Sequence, residues 1–497
     1  MVAAVLAAGA AGVRWLRVAQ REHYLAGSVT TFARRWWTLG ANRLLLVAVV
    51  LAIVIVPGAP LAGIPGAAAI AAGPFGLAIR GRTSRLAWTR RLRTLAAIWA
   101  GLQLTIVAVG FAAGVAPLVA LAAAALTPVI VDAALAVAAP VERRLARPWV
   151  QRAKQRLAQI NPRVVGITGS YGKTTTKGYV AHLAGAAATV VATPASFNNR
   201  AGLARAVNEH LAPGTEVFVA EMGTYGPGEI AELCRLCPPS IAVICALGPV
   251  HLERMGSEEA ILAAKAEILA GAELAVLNVD HPLLAALADA RAASGQRVVR
   301  CSAGDAGADV NVMDATLRIS GRDVGTLART DIQPANLACA VAVAIELGVP
   351  EATILERVTT LPTPPHRLTT QMVDSGATVL DDTYNANPAG GVAALAALER
   401  HGADAARRVV VTPGMVELGR RQREENRRFA AAASSGPATH LVVVGHTNRA
   451  ALCAGAGEGD AEVVLVGTRE QAVAWVRQHV GEGDVVLYEN DLPDHFA

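Results

Sequence analysis

Acidic residues are nearly missing from the first third of the chain. Residues 1–160 hold 3 Asp and Glu against 18 Lys and Arg, whereas the remainder holds 37 against 27. The net charge of +5 thus conceals a basic N-terminal part and an acidic C-terminal part. Charge of either sign is scarce, at 17% of residues, and 53% are apolar; an ordinary soluble domain carries about 25% charged residues. The arginines flank long apolar runs, so the basic part reads as membrane and not as a nucleic-acid surface. Cysteine is also sparse, with six residues. Cys234 and Cys237 form a C-x-x-C, but no second Cys or His pair stands at zinc spacing, which excludes a structural zinc site. The six are read as reduced, buried thiols. No basic residues precede the apolar first dozen residues, which excludes a cleaved signal peptide.

The apolar runs are residues 44–56, 61–79 (interrupted by Pro65 and Pro74), 95–114 and 117–139. All but the first approach the ~20 residues that cross a bilayer as a helix. The basic segments 14–43, 80–93 and 143–156 belong on the cytoplasmic side by the positive-inside rule. This predicts two hairpins, 43–79 and 95–140, with short turns outside; residues 1–12 would add a fifth span. Trp36 and Trp37, beside Arg34 and Arg35, suit an interfacial belt. Asp132 is the one acid inside a run, and an acid there is a functional candidate. The expected localisation is a multi-pass protein of the cell membrane, four or five spans, with the rest of the chain in the cytoplasm and the lipid bilayer as a partner.

After the last run the pattern changes to alternating strands and helices, which predicts a mainly parallel α/β sheet. Residues 164–177 read VVGITGSYGKTTTK. Val164, Val165 and Ile167 end a buried strand; Gly169, Ser170, Tyr171 and Gly172 form a turn; Lys173, Thr174 and Thr175 open a helix. Backbone N–H groups in such a turn converge on phosphate, and the helix N-terminus adds positive charge. A lysine there meets the β- and γ-phosphates of ATP, and a threonine hydroxyl ligates Mg²⁺. The strict P-loop glycine five residues before Gly172 is Ile167, so the loop is a shortened Gly-x-x-Gly-Lys-Thr. The next strand ends in Glu221, at the carboxyl edge where α/β sheets hold ligands, placed to help hold the Mg²⁺. A further strand at 241–246 precedes His251, and a helix at 258–271 carries Lys265.

Gly169 to Thr175, Glu221, His251 and Lys265 together resemble the Mur ligase family, which makes peptidoglycan stem peptides by ATP-driven amide formation. The resemblance implies that Lys173 and Thr174 handle the phosphates and one Mg²⁺. It implies that Glu221 and His251 help bind metal, and that Lys265 matches the lysine carbamylated in many members, where the carbamate ligates a second Mg²⁺. Lys173, His251 and Lys265 are then the catalytic set. Asn198 and Asn199 of SFNNRAGLA match a loop near the substrate, and Asn336 matches an asparagine near adenine. The family's preceding His-Asn is here Ile332 and Gln333. Residues 364–367, Pro-Pro-His-Arg, read as a linker. DDTYNANP at 381–388 resembles the signature of the branch that adds D-alanyl-D-alanine, as does MVELG at 415–419. In that branch Arg367, Asp382 and Asn385 reach the nucleotide.

Two departures stand out. The family's small UDP-sugar domain is replaced by the membrane section, and a K-G-S-R-like stretch near the C-terminus is replaced by Tyr488-Glu489-Asn490-Asp491-Leu492-Pro493-Asp494. The expected organisation is a transmembrane helical region at 1–145, a central P-loop parallel-sheet ATPase domain at 146–362, and a Rossmann-like C-terminal domain at 363–497. The expected chemistry is amide ligation through an acyl phosphate at the cytoplasmic membrane face. The expected partners are a cell-wall precursor, lipid-linked or UDP-linked, and an amino-acid or dipeptide amine, with no nucleic acid. Two alternatives stay open: a membrane-bound ligase of a γ-linked polyamino acid, and a transport ATPase. The second would call for an LSGGQ-like segment, which the sequence lacks, or an Asp-Glu after the strand that ends in Glu221.

Overall fold

The computed structural model of the protein describes residues 1–79, 86–329, 332–362, 368–384, 387–492 and 496. It separates into two compact units, Met1–Arg147 with Leu492–Ala497, and Pro148–Asp491.

The first unit is helical. Among the described residues, Val2–Arg21 and Arg90–Ala112 are each long and apolar enough to cross a membrane. Ser28–Trp37 with Asn42–Ile55, and Ala116–Ala125 with Thr127–Ile160, reach that length only as pairs bent by 104° and 74°. Two expectations change. The apolar first dozen residues are the start of a 20-residue helix that runs on through Arg14 and Arg17. The run 61–79 is not one span but a 3₁₀ turn, Pro60–Ala62, and a ten-residue helix, Gly63–Ala72. The cause is Pro74, because the residue before a proline avoids the helical region, and Gly73 is extended with ψ 167°. Arg80, Arg82 and Arg85 lie outside the described residues.

Two polar side chains inside this unit are held by hydrogen bonds. The Arg14 guanidinium donates to the carbonyls of Gly73, of Leu77 at 3.1 Å and of Ala71 at 3.2 Å. Asp132 accepts from Thr30 N at 2.8 Å, Thr30 Oγ1 at 2.5 Å and Val29 N at 3.3 Å, so it caps the start of Ser28–Trp37. That is a structural task for the acid singled out above, since a helix start leaves donors without partners. Trp36 is buried in the apolar core of this unit.

The second unit holds two sheets. The first nine strands are β1 (Arg163–Thr168), β2 (Val190–Ala192), β3 (Val217–Glu221), β4 (Ile241–Ile244), β5 (Leu274–Asn278), β6 (Arg297–Ser302), β7 (Val310–Met313), β8 (Thr316–Ile319) and β9 (Arg322–Thr326). They lie in the order β2-β3-β1-β4-β5-β6-β7-β8-β9. Pairing is parallel from β2 to β7 and antiparallel beyond. Alternate residues of one strand feed two cores: Val165 and Ile167 enter one, Val164 the other, as the two-residue period of a strand requires. The chain runs from β1 to β2 and β3 on one side and then crosses to β4 on the other, so the order reverses at β1. The crevice at the carboxyl end of such a strand is where open α/β sheets bind ligands.

The remaining strands are β10 (Thr369–Met372), β11 (Thr378–Asp382), β12 (Arg408–Thr412), β13 (His440–Val444), β14 (Glu462–Val466) and β15 (Val485–Glu489). Their order is β10-β11-β15-β12-β13-β14, parallel except for the β10–β11 edge pair. This is the mixed α/β architecture expected from the alternating pattern.

Candidate active site

The turn after β1 is built so that its backbone is fixed before any ligand arrives. Ser170 N donates to Ala246 O at 2.8 Å, and the Ser170 hydroxyl bridges Gly248 O and Gly248 N at 3.1 Å each. Tyr171 donates its hydroxyl to Leu247 O at 3.0 Å. Gly169 packs so closely that a Cβ would lie 2.5 Å from Cys245 Sγ. Gly172 has φ +79°, and a Cβ there would also lie 2.4 Å from Asn336 Oδ1. Both glycines are therefore required, one by close approach and one by conformation as well. Lys173 Nζ folds back on Gly169 O at 2.7 Å, at the start of the helix Lys173–Ala184.

Glu221 closes β3 beside this turn and is 1% exposed. It accepts from Thr174 Oγ1 at 3.1 Å, Asn198 Nδ2 at 3.0 Å and Lys177 Nζ at 2.9 Å. Lys177 was missed in the sequence, although it sits one helical turn past Lys173. Asn198 thus joins Glu221, whereas Asn199 accepts from Gly202 N at 3.0 Å and caps the helix Arg200–His210. Thr175 is buried and lines a cavity of about 380 Å³ with Tyr171, Gly172, Asn336, Asp382 and Tyr384. Asp382 Oδ1 accepts from Leu368 N at 3.1 Å. Arg367 and Asn385 lie outside the described residues.

Lys265 is 2% exposed in the helix Glu258–Ala266. Burial, with Lys173 nearby, pushes its ammonium down to about 7. A neutral amine fraction is thereby available near neutral pH. His251 begins the short helix Leu252–Met255 with φ 62° and pairs through Nδ1 with Glu417 Oε2 at 2.5 Å. At the carboxyl end of β15, an inner strand of the second sheet, Glu489 is fully buried and accepts from Thr412 Oγ1 at 2.5 Å. Burial pushes its carboxyl up to about 7, and Asp382 adds to the rise. Asn490 follows it with φ 64°. All six cysteines are free thiols, and burial pushes Cys234 up to about 11 and Cys237 to about 12.

The donors suit Mg²⁺ at one place. Thr174 and Glu221 offer hard oxygens in contact, and Mg²⁺ takes one or two carboxylates while keeping waters and phosphate oxygens. His251 and Lys265 suit a second ion only if Lys265 carries an anionic group, because an ammonium has no lone pair to give.

The Mur ligase middle domain family matches residues 167–342, and the Mur ligase glutamate ligase domain family matches residues 366–488. The UDP-N-acetylmuramoyl-tripeptide–D-alanyl-D-alanine ligase of Mycobacterium tuberculosis is 35% identical over 359 residues, covering 65% of this chain and 69% of the relative. Among solved structures, MurF from Acinetobacter baumannii superposes with a TM-score of 0.59 at 23% identity, covering 69% of this chain and 77% of that one. MurF from Thermotoga maritima in complex with ADP superposes with a TM-score of 0.56 at 24% identity, covering 70% of this chain and 80% of that one.

Proposed function

The chain belongs to the Mur ligase family, and from that premise we propose that it ligates a cell-wall acid to an amine through an acyl phosphate at the cytoplasmic membrane face. As a Mur ligase it is an ATP-dependent enzyme that forms a peptide bond, and its relatives are of the MurF kind. In the proposed reaction a carboxylate oxygen of the acid attacks the γ-phosphorus and ADP leaves. The amine then attacks the acyl carbon, and phosphate departs with the oxygen it took from the acid. A proton is lost from nitrogen.

The observation that carries this reading is the contact of Thr174 with Glu221 beside a pre-shaped phosphate turn, at the edge of the cavity that Asp382 and Tyr384 complete. Gly169, Ser170, Tyr171 and Gly172 bind phosphate through backbone, and Lys173 supplies the point charge once it leaves Gly169 O. Thr174 and Glu221 would hold Mg²⁺, with His251 and a carbamylated Lys265 for a second ion. Bound there, the ions neutralise charge on the phosphates. Carbamylation needs the free amine to attack CO₂, which the depressed Lys265 favours. Thr175, Asn336 and Asp382 line the nucleotide cavity, Arg367 and Asn385 are assigned to the nucleotide by the resemblance alone, and Asn198 positions substrate through Glu221.

The division proposed is a membrane region at 1–145, a central ATP-binding domain at 146–362 and a C-terminal domain at 363–497. Two helices of spanning length support the membrane region. The acid is a peptidoglycan precursor, taken in lipid-linked form, and the amine an amino acid or dipeptide. ATP turnover by membranes containing the protein, offered UDP-linked and lipid-linked muramoyl peptides with D-alanyl-D-alanine, tests this. Turnover with the lipid-linked acid, lost in Lys173→Ala, is expected. Efficient, membrane-independent use of the UDP-linked acid contradicts the lipid-linked part, and full activity of Lys173→Ala contradicts the nucleotide site.

A further inference from the structure

Glu417 stands in the loop after β12 with φ 65°, a left-handed conformation uncommon for a glutamate. Opposite it, His251 is also left-handed, with φ 62°. The two meet at 2.5 Å, Glu417 Oε2 to His251 Nδ1. The contact crosses from the β12 loop to the turn after β4, so it joins the two sheets of the unit. Its surroundings hold both partners. Arg254 Nη2 lies 3.6 Å from Glu417 Oε1, and its guanidinium sits over the Tyr225 ring at 5.1 Å. Tyr225 in turn meets the His251 ring edge-on at 4.9 Å. Gly419 approaches so closely that a Cβ would lie 3.1 Å from Glu253 N, and Arg421 pairs with Glu258 at 2.9 Å.

A carboxylate accepts and does not donate, so the imidazole must carry its proton on Nδ1 when it is neutral. The second nitrogen, Nε2, then holds a lone pair and takes no protein partner among the described residues. A histidine that binds metal is oriented in this way by a carboxylate on its other nitrogen. Strained backbone at both ends of one contact marks a place where the fold over-determines geometry.

We propose that Glu417 is a positioning residue: it fixes the tautomer and ring plane of His251, so that Nε2 is presented to the nucleotide site only while the β12 loop is docked against the turn after β4. The proposal rests on the reading of His251 as a metal ligand. It ties assembly of that ligand to the closed arrangement of the two sheets, through one side chain supplied from the C-terminal one.

The test uses the full chain in nanodiscs with Mn²⁺ and ADP, read by pulsed electron paramagnetic resonance for directly bonded ¹⁴N and by Mn²⁺ affinity. The wild type is expected to show the nitrogen coupling and His251→Ala to lose it. Glu417→Ala is expected to lose the coupling and about 10-fold in affinity or more, the usual effect of removing such a carboxylate. Glu417→Gln keeps an oxygen acceptor for Nδ1–H and is expected to retain the coupling. Arg421→Ala removes a mostly exposed ion pair, of a kind that contributes little to stability, which leaves the loop docked and touches neither His251 nor Glu417, and it is expected to change neither reading. Absence of coupling in the wild type overturns the ligand reading of His251 itself. Coupling in the wild type that persists unchanged in Glu417→Ala overturns this proposal alone, as does equal loss in Arg421→Ala.

Discussion

Replacing Lys177 with methionine is expected to destabilise the central sheet far more than a surface lysine would. The Lys177–Glu221 pair is 2.9 Å long, with side chains 7% and 1% exposed. Removing one partner of a buried pair leaves the other charge uncompensated and costs about 3–5 kcal/mol. Glu221 keeps two donors, Thr174 Oγ1 and Asn198 Nδ2, which sets the expectation at the lower end, about 3 kcal/mol. At about 1.4 kcal/mol per factor of ten, this is an increase of about 10²-fold in the opening constant. Amide hydrogen exchange followed by mass spectrometry, without nucleotide, reads it in peptides covering Arg163–Thr168 and Val217–Glu221, paired strands of one register. The double variant Lys177→Met/Glu221→Gln removes the stranded charge and should recover most of the protection. Exchange within about threefold of wild type in Lys177→Met, where a surface change costs about 0.5 kcal/mol or less, would refute the reasoning. So would a double variant no better protected than the single one.

Other outcomes follow from single contacts. Glu489, with its carboxyl raised to about 7, binds more protons folded than unfolded between about 4.5 and 7. Its stabilising contribution is therefore full below about 4.5 and is lost as pH rises through 7; thermal unfolding of Glu489→Gln should be less sensitive to pH across that window than the wild type. Gly172→Ala meets both the positive φ and the Asn336 oxygen at 2.4 Å, so ATP affinity by calorimetry should fall at least about 10-fold, a cost of about 1.4 kcal/mol. Adding Asn336→Ala should relieve the clash but not the positive φ, and it removes a side chain that lines the same cavity, so the affinity should not recover. Asp132→Ala removes the cap on Ser28–Trp37 and should cost about 1–2 kcal/mol, seen as faster exchange confined to that helix.

The strand that ends at Thr168 and the helix that opens at Lys173 after a glycine turn were legible in the sequence because they depend on residue types at short spacing. Glu221 was legible because a strand end has a fixed place in a parallel sheet. The capping task of Asn199 was not, because an asparagine before a helix serves as substrate contact or cap, and the cap shows only in the bond from Gly202 N. Lys177 was one turn from Lys173, but its partner is 44 residues away. Glu417 was visible as part of MVELG, yet its meeting with His251 depends on how two sheets pack. In the N-terminal unit, hydropathy located the apolar runs but not their breaks. Arg14 looked like the end of a run; carbonyls of residues 71, 73 and 77 satisfy it, and the helix continues. Pro65 and Pro74 interrupt the run 61–79, and Gly73 before Pro74 ends the helix there.

The central claim is that the acid is activated by phosphoryl transfer from ATP. The full chain, reconstituted in nanodiscs, should be given ATP, an acid substrate labelled with ¹⁸O in both carboxylate oxygens, and D-alanyl-D-alanine, with the inorganic phosphate analysed by mass spectrometry. The account predicts one ¹⁸O in each phosphate released with amide formation, and none released by Lys173→Ala. Amide formed with unlabelled phosphate, or with the label in AMP, would contradict it.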